Sequence, residues 1–143
     1  MIVISDLDGT ITDAEHRVHL VREHPKDYDA FFNAARDDGP IWPVIHVLRA
    51  LKAAGHEIHI ITGRSDITKT DTIEWLDRFE VPHDRLLMRP ADDYTPDDRL
   101  KRAWFQLEYR SEDVLLVLED RARVVRMWRK LGVTCLQVAE GDF

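Results

Sequence analysis

The 143 residues carry 27 acidic and 20 basic side chains, for a formal net charge of −7, and 44% of them are hydrophobic. These proportions exclude a disordered or fibrous chain, and no stretch approaches the ~20 apolar residues that span a bilayer. The acidic balance argues against coating nucleic acid through a broad basic face, while leaving room for a short nucleic-acid end in a local basic pocket.

The chain opens with an apolar run, Met1–Ser5, which predicts a strand and ends on Asp6-Leu7-Asp8-Gly9-Thr10. The run is short, and no basic segment precedes it, so no signal peptide is expected. Asp8-Gly9 alone reads as a turn. A turn leaves Asp6 unexplained, because two carboxylates this close repel unless a positive charge lies between them. Residues 13–40 follow, long for a strand-to-helix connection in an α/β protein. Their weak helical pattern of Tyr28, Phe31, Phe32 and Ala35 predicts a small helical cap, the alternative being a surface insertion without a role. His16 and His19, three apart within it, read as surface residues.

From Pro43 to Ala54, Val44, Val47, Leu48 and Leu51 recur at helical spacing, and Gly55 stops the helix. Glu57–Ile61 predicts the next strand and ends on Thr62-Gly63-Arg64-Ser65. A helix over Asp71–Phe79 (Ile73, Leu76, Phe79) leads to a short strand at Leu86–Met88. A helix over Asp97–Tyr109 then carries Leu100, Trp104 and Leu107 on one side. Val114–Leu118 predicts a strand ending on Glu119-Asp120-Arg121, and Asp120–Leu131 a helix with Val124, Val125, Trp128 and Leu131 inward. Val133–Val138 is the last apolar run. Trp104 and Trp128 read as core. So does Cys135, the single cysteine, which permits no internal disulfide and fits a reducing cytoplasm.

Near-continuous apolar strands alternating with amphipathic helices predict an α/β, Rossmann-like fold. It has a parallel sheet of about five strands, helices on both faces and the small cap insertion at about 13–40, all in one domain spanning 1–143. Ligands of such sheets bind beyond the carboxyl ends of the strands. Three strands deliver Asp6 and Asp8, then Thr62, Gly63 and Arg64, then Glu119 and Asp120 to that edge. Carboxylates without histidine or cysteine partners suit a hard cation, most naturally Mg²⁺. Thr62 and a helix N-terminus offer donors to an anion, and a nearby lysine would complete a phosphate clamp. One carboxylate beside such a phosphate can attack phosphorus, forming an aspartyl-phosphate. A second, two residues on, can protonate the leaving oxygen and then activate water.

The segments DLDGT, ITGR and LED, in this order and each after a strand, resemble the haloacid dehalogenase (HAD) superfamily of phosphohydrolases. Residues 115–142 with Phe143, and PDDRLKRAWF at 96–105, resemble more narrowly the phosphatase domains of phage polynucleotide kinase/phosphatases. That resemblance implies Asp6 as nucleophile and Asp8 as general acid/base. It implies Thr62 bonded to the transferring phosphoryl group and Lys101 paired with that group and with Asp6. Mg²⁺ would be held by Asp6, the backbone carbonyl of Asp8 and Asp120, and Arg64 would lie beside the substrate. Glu119 stands where the family usually has aspartate, which leaves its part in the metal site open. Without the resemblance, Lys101 reads as a solvated helix residue, and Lys69 competes for the phosphate-pairing role. No stretch resembles a G-x-x-x-x-G-K-[ST] loop, so no kinase activity is expected of these residues. The implied substrates are 3′-phosphates of nucleic-acid ends or nucleotides. The alternatives are free nucleotides or other small phosphomonoesters, a non-catalytic binding module, and a phosphatase subunit beside a separate kinase or ligase.

Overall fold

Alternate residues of the apolar runs face opposite sides of a sheet, and here each side meets its own helices. The computed structural model describes residues 1–143. In chain order they form β1 (Ile2–Ser5), β2 (Thr12–Asp13), α1 (Glu15–Arg22), α2 (Tyr28–Asn33), a 3-10 turn (Ala34–Asp37), β3 (Gly39–Pro40), α3 (Trp42–Ala53) and β4 (Glu57–Ser65). There follow α4 (Lys69–Arg78), β5 (Arg85–Arg89), α5 (Asp97–Glu108), β6 (Val114–Glu119), α6 (Ala122–Lys130) and β7 (Cys135–Gln137). The main sheet has five strands in the order β5-β4-β1-β6-β7, and every pairing in it is parallel. The chain therefore builds outward from the central β1 first to one side and then to the other, and the edge beyond β1 is the switch point of the topology.

On one face Val3, Ile58, Ile60 and Leu118 pack with Val44, Ile45 and Leu48 of α3 and Trp75 and Leu76 of α4. On the other, Ile4, Ile61 and Val117 pack with Phe105 of α5 and Val124, Val125 and Trp128 of α6. Cys135 is buried in this second layer, where burial pushes its thiol up to about 12, so it is an inert core thiol at neutral pH. Trp104 is half-buried against the same layer.

Two residues expected on apolar faces lie outside. Leu107 is 80% exposed, because the inward stripe of α5 is Leu100, Lys101 and Phe105, and 107 falls some 200° around the helix from 105. Val47 is half-exposed at the margin of a stripe centred on Val44, Ile45 and Leu48. The predicted strand at 57–61 continues to Ser65, with a register shift against β5 between Thr62 and Ser65.

Residues 13–40 contain α1, α2 and the 3-10 turn, tied at their base by the small antiparallel pair β2–β3. The segment is stitched to the body by Trp75, whose indole N–H donates to the backbone carbonyl of Asp38 at 2.8 Å. Phe31 and Phe32 reach the cavity at the edge of the sheet, which supports the reading of this segment as a cap.

Gly9 turns the chain out of β1 with φ +83°, and a Cβ there would collide with the carboxylate of Asp120. Gly9→Ala is therefore expected to cost at least ~1–2 kcal/mol in backbone strain, lowering Tm by roughly 3–8 °C. A thermal melt checks this, and an unchanged Tm would mean that the turn relaxes freely.

Candidate active site

Helices of a parallel α/β unit run antiparallel to the strands, so their first turns share an edge with the strand ends. That geometry brings Asp6, Asp8, Thr62, Gly63, Arg64, Glu119 and Asp120 around one cavity of about 190 Å³, which Asp97, Arg89, Arg121, Phe31, Phe32 and Phe143 complete. Lys101, one turn into α5, lies behind Asp6 and Glu119 and is fully buried. The solvated alternative for this lysine is thus excluded, and the competing Lys69 is exposed.

Lys101 Nζ donates to Asp6 Oδ1 at 2.7 Å and to Glu119 Oε2 at 2.9 Å, and lies 3.4 Å from Asp97 Oδ2. The other oxygen of Glu119 accepts the backbone N–H groups of Asp120 and Arg121, both at 3.2 Å. Glu119 therefore fixes both the lysine and the turn that carries Asp120. Burial, with Glu119 adding and Lys101 opposing, pushes the Asp6 carboxyl up to about 8. Burial raises Glu119 as well, against the pull of Lys101. It lifts Asp120 to about 6 with help from Asp6, although the Thr10 hydroxyl donates to Asp120 at 3.0 Å. Burial alone would discharge Lys101, but Asp6 and Glu119 outweigh it and hold the ammonium well above its usual range.

Asp6, Glu119 and Asp120 each offer an oxygen within 4.8 Å of the others. An all-carboxylate donor set fits a hard divalent cation such as Mg²⁺. The missing Cβ of Gly9 lets the Asp120 carboxylate lie against the turn, within the same cluster.

Asp8 faces the other way. Its Oδ1 accepts from Arg64 at 2.5 Å and from Arg17 at 2.6 Å, and Asp38 accepts from Arg17 at 2.8 and 2.9 Å and from Arg64 at 3.3 Å. Asp8, Arg17, Asp38 and Arg64 thus form a closed ring of alternating charge. Burial would raise Asp8, but the two guanidiniums prevail and hold it at about 2. Arg64 also donates to Thr72 of α4 at 3.1 Å. Its ion pairing is with Asp8 and Asp38, not with Glu119. The Thr62 hydroxyl oxygen accepts the backbone N–H of Arg64 at 3.0 Å, which leaves its proton free to donate.

Sequence reasoning missed Arg17, Asp38 and Asp97. Arg17 sits in a helix without a strong pattern, Asp38 in an Asp-Asp-Gly stretch that reads as a turn, and Asp97 in the acidic first turn of a helix, where acids are ordinary. Nothing local distinguished them. The buried Asp97 Oδ1 has no hydrogen-bond partner. A Cβ on Gly63 would collide with it, so a larger residue there would close the cavity. His16 is half-exposed and bonds Asp38 at 2.7 Å.

Asp6 and Asp120 titrate higher in the folded chain than their ordinary 3.8. Their contribution to stability is full below that value and is lost as pH rises through about 6 and about 8. In a chelator, Tm of the parent relative to Asp6→Asn should therefore fall between pH 5 and pH 8. The difference between the two removes the opposite effect of His59, whose burial lowers its pKa. A divalent cation at about 100 times its Kd should restore ~2.7 kcal/mol to the parent. A parent-minus-variant Tm that is flat with pH would contradict the assigned crowding.

Residues 1–143 match the family described as the polynucleotide kinase PNKP phosphatase domain. A protein of Autographa californica nuclear polyhedrosis virus, named "Putative bifunctional polynucleotide kinase/RNA ligase", is 31% identical over 133 residues, covering 92% of this chain and 18% of the viral protein. A chain in the structure of a Pnkp1/Rnl/Hen1 complex superposes with a TM-score of 0.80 at 34% identity, over 99% of this chain and 46% of that one. This chain therefore spans less than half the length of either relative. The haloacid dehalogenase-like hydrolase SP0104 of Streptococcus pneumoniae shares the fold, with a TM-score of 0.68 at 13% identity over 95% of this chain and 83% of that one. The chain belongs to the PNKP phosphatase-domain family of HAD-type phosphatases.

Proposed function

We propose that this chain is a Mg²⁺-dependent phosphomonoesterase that works through an aspartyl-phosphate and acts on 3′-phosphates of nucleic-acid ends or nucleotides. The observation that carries this reading is the separation of Asp6 and Asp8 into unlike surroundings. Asp6 is oriented by Lys101 within the acidic cluster, whereas Asp8 is turned toward two guanidiniums. Two carboxylates with such different neighbours suit two different tasks.

Asp6 is the nucleophile. Its carboxylate attacks phosphorus, the ester oxygen leaves with a proton from Asp8, and water then attacks the aspartyl-phosphate as Asp8 takes its proton. Phosphate is released and both aspartates are restored. The Thr62 hydroxyl borders the cavity in which charge develops on the phosphoryl oxygens, and Lys101, behind Asp6, supplies positive charge to the same region. Asp6, Asp120 and the backbone carbonyl of Asp8 are the residues that would hold Mg²⁺, which supplies charge stabilisation at phosphorus when bound. Glu119 serves this site through Lys101 and the loop amides, and its carboxylate is also within reach of the same cation.

A carboxyl held at about 2 is a poor acid to protonate a leaving group at neutral pH. The ring around Asp8 resolves this. A phosphate dianion in the cavity gives Arg64, which lines it, a second anion to bind, and weakening its hold lets Asp8 carry a proton when the leaving group needs one.

The family membership favours a 3′-phosphate. The relatives in a Pnkp1/Rnl/Hen1 complex and in a kinase/ligase polypeptide favour action beside a kinase or ligase. The small cavity and the net charge of −7 favour the second reading, a free nucleotide or other small phosphomonoester. Phosphate release with Mg²⁺ from 3′- and 5′-nucleotides, from oligonucleotides with either terminal phosphate and from sugar phosphates separates them. Preference for 5′-nucleotides or sugar phosphates would overturn the 3′ assignment.

Asp6→Asn should reduce phosphate release below a tenth of the parent rate, a barrier increase above ~1.4 kcal/mol, while the far-UV spectrum stays the same. Release above that level would remove Asp6 as nucleophile.

Asp8→Asn should slow esters of alcohols far more than a nitrophenyl ester, whose leaving group needs no proton. Measured by single-turnover phosphorylation, an equal loss on both would make Asp8 structural.

A further inference from the structure

The acidic total conceals a basic track. Arg99 and Arg102 on α5, three apart, share one helix face. Arg123, Arg126 and Lys130 on α6, at spacings of three and four, share another. The two faces line a single groove of about 320 Å³ between the helices. All five side chains are exposed. Only Arg123 has an ionic partner, Asp98 at 3.5 Å; the other four make neither an ion pair nor a hydrogen bond. The arginines around the acidic centre, Arg17, Arg64 and Arg89, are by contrast all paired with aspartates. Four exposed cations without partners set up a local positive potential that attracts anions.

This groove neighbours the candidate active site. A second groove of about 650 Å³ lies between them. It shares Arg121 and Gly63 with the catalytic cavity, and Arg123 with the helix groove. Tyr94 and Tyr28, 88% and 53% exposed, present rings along it. Asp29, Asp92, Asp93 and Asp97 also border it and outnumber Arg89, Arg121 and Arg123, so what this stretch offers a strand is the tyrosine rings, and the phosphodiesters meet unpaired cations only in the groove between the helices. Unstacked bases lie on exposed aromatic rings in this way without regard to sequence. From Arg123 to Lys130 the helix rises ~10 Å, so the row of cations runs along a strand rather than meeting it at one point.

We infer that the α5–α6 groove binds the single strand upstream of the phosphate that enters the catalytic cavity, through its phosphodiesters. The placement of the 3′ end rests on the function proposed above; the basic track and its anionic occupant do not. The acidic remainder of the surface repels the strand elsewhere and confines it to this track.

The test is fluorescence anisotropy with a labelled eight-nucleotide single strand ending in a 3′-hydroxyl, which needs no catalysis. The protein is compared with Arg126→Ala/Lys130→Ala and, on the other helix, with Arg99→Ala/Arg102→Ala. Each double variant should bind about tenfold more weakly at low salt. Each should also flatten the slope of log affinity against log salt by about 1.4, two contacts at ~0.7 each. Release of phosphate from a 3′-mononucleotide should be unchanged in both, and their circular dichroism should match the parent. Oligonucleotide affinity and salt slope equal to the parent in both variants would overturn the inference and leave the patch to an acidic protein surface. So would a parent that does not bind the strand. Loss of binding in the variants, together with a parent that releases no phosphate from any 3′-phosphate, would sustain the track and sink the proposed activity. Intact hydrolysis with unchanged strand binding would do the reverse.

Discussion

The arrangement depends on how like charges are kept apart at the carboxyl end of β1. Asp6 and Asp8 are two residues apart, and Glu119 and Asp120 arrive beside them from β6. In a buried site this concentration of carboxylates is unfavourable unless each has its own counter-charge. The protein divides the task by direction. Lys101 comes from α5 and lies between Asp6 and Glu119. Arg17 and Arg64 come from α1 and β4 and close on Asp8. What is left incompletely compensated is the region of Asp6 and Asp120, the two aspartates whose pKa values rise, and a divalent cation would complete it.

The division also explains what holds the segment at residues 13–40. Its apolar contacts are modest, and none of the residues of α2 is fully buried. Its firmest attachments are polar. Arg17 and Asp38 from the segment interlock with Asp8 and Arg64 from the body, and Asp38 accepts the indole N–H of Trp75. A segment held through charged groups at the site itself shares Arg64 with the cavity, and a guanidinium that binds Asp8 is also one that can bind a phosphate. Cap attachment and the charge state of Asp8 are therefore linked in one network.

Net charge proved a poor guide to the surface. A value of −7 describes the total, but the sites on which it acts are local. At physiological ionic strength, charges more than ~8 Å apart are largely screened from one another. The groove between α5 and α6 is thus basic in its own neighbourhood, whatever the rest of the molecule carries.

The sequence by itself determined the layers of the fold and the main chemistry of its edge. Apolar strands of period two and helices of period 3.6 report burial residue by residue, so the parallel sheet and its two helical faces were legible. So were Asp6, Asp8, Thr62, Arg64, Glu119 and Asp120, because each directly follows or ends a strand and strand ends in this topology converge. Lys101 was legible only through resemblance, since one lysine on a helix looks like any other until the helix is set against a sheet. Arg17, Asp38 and Asp97 were decided by tertiary structure alone. They come from the insertion and from a helix start, where no local pattern marks them, and their roles arise only from distances across the fold. The basic track belongs to the same class. Its helical spacings, three on α5 and three and four on α6, can be read in the sequence, but that two such faces line one groove depends on how α5 and α6 pack side by side against the same face of the sheet.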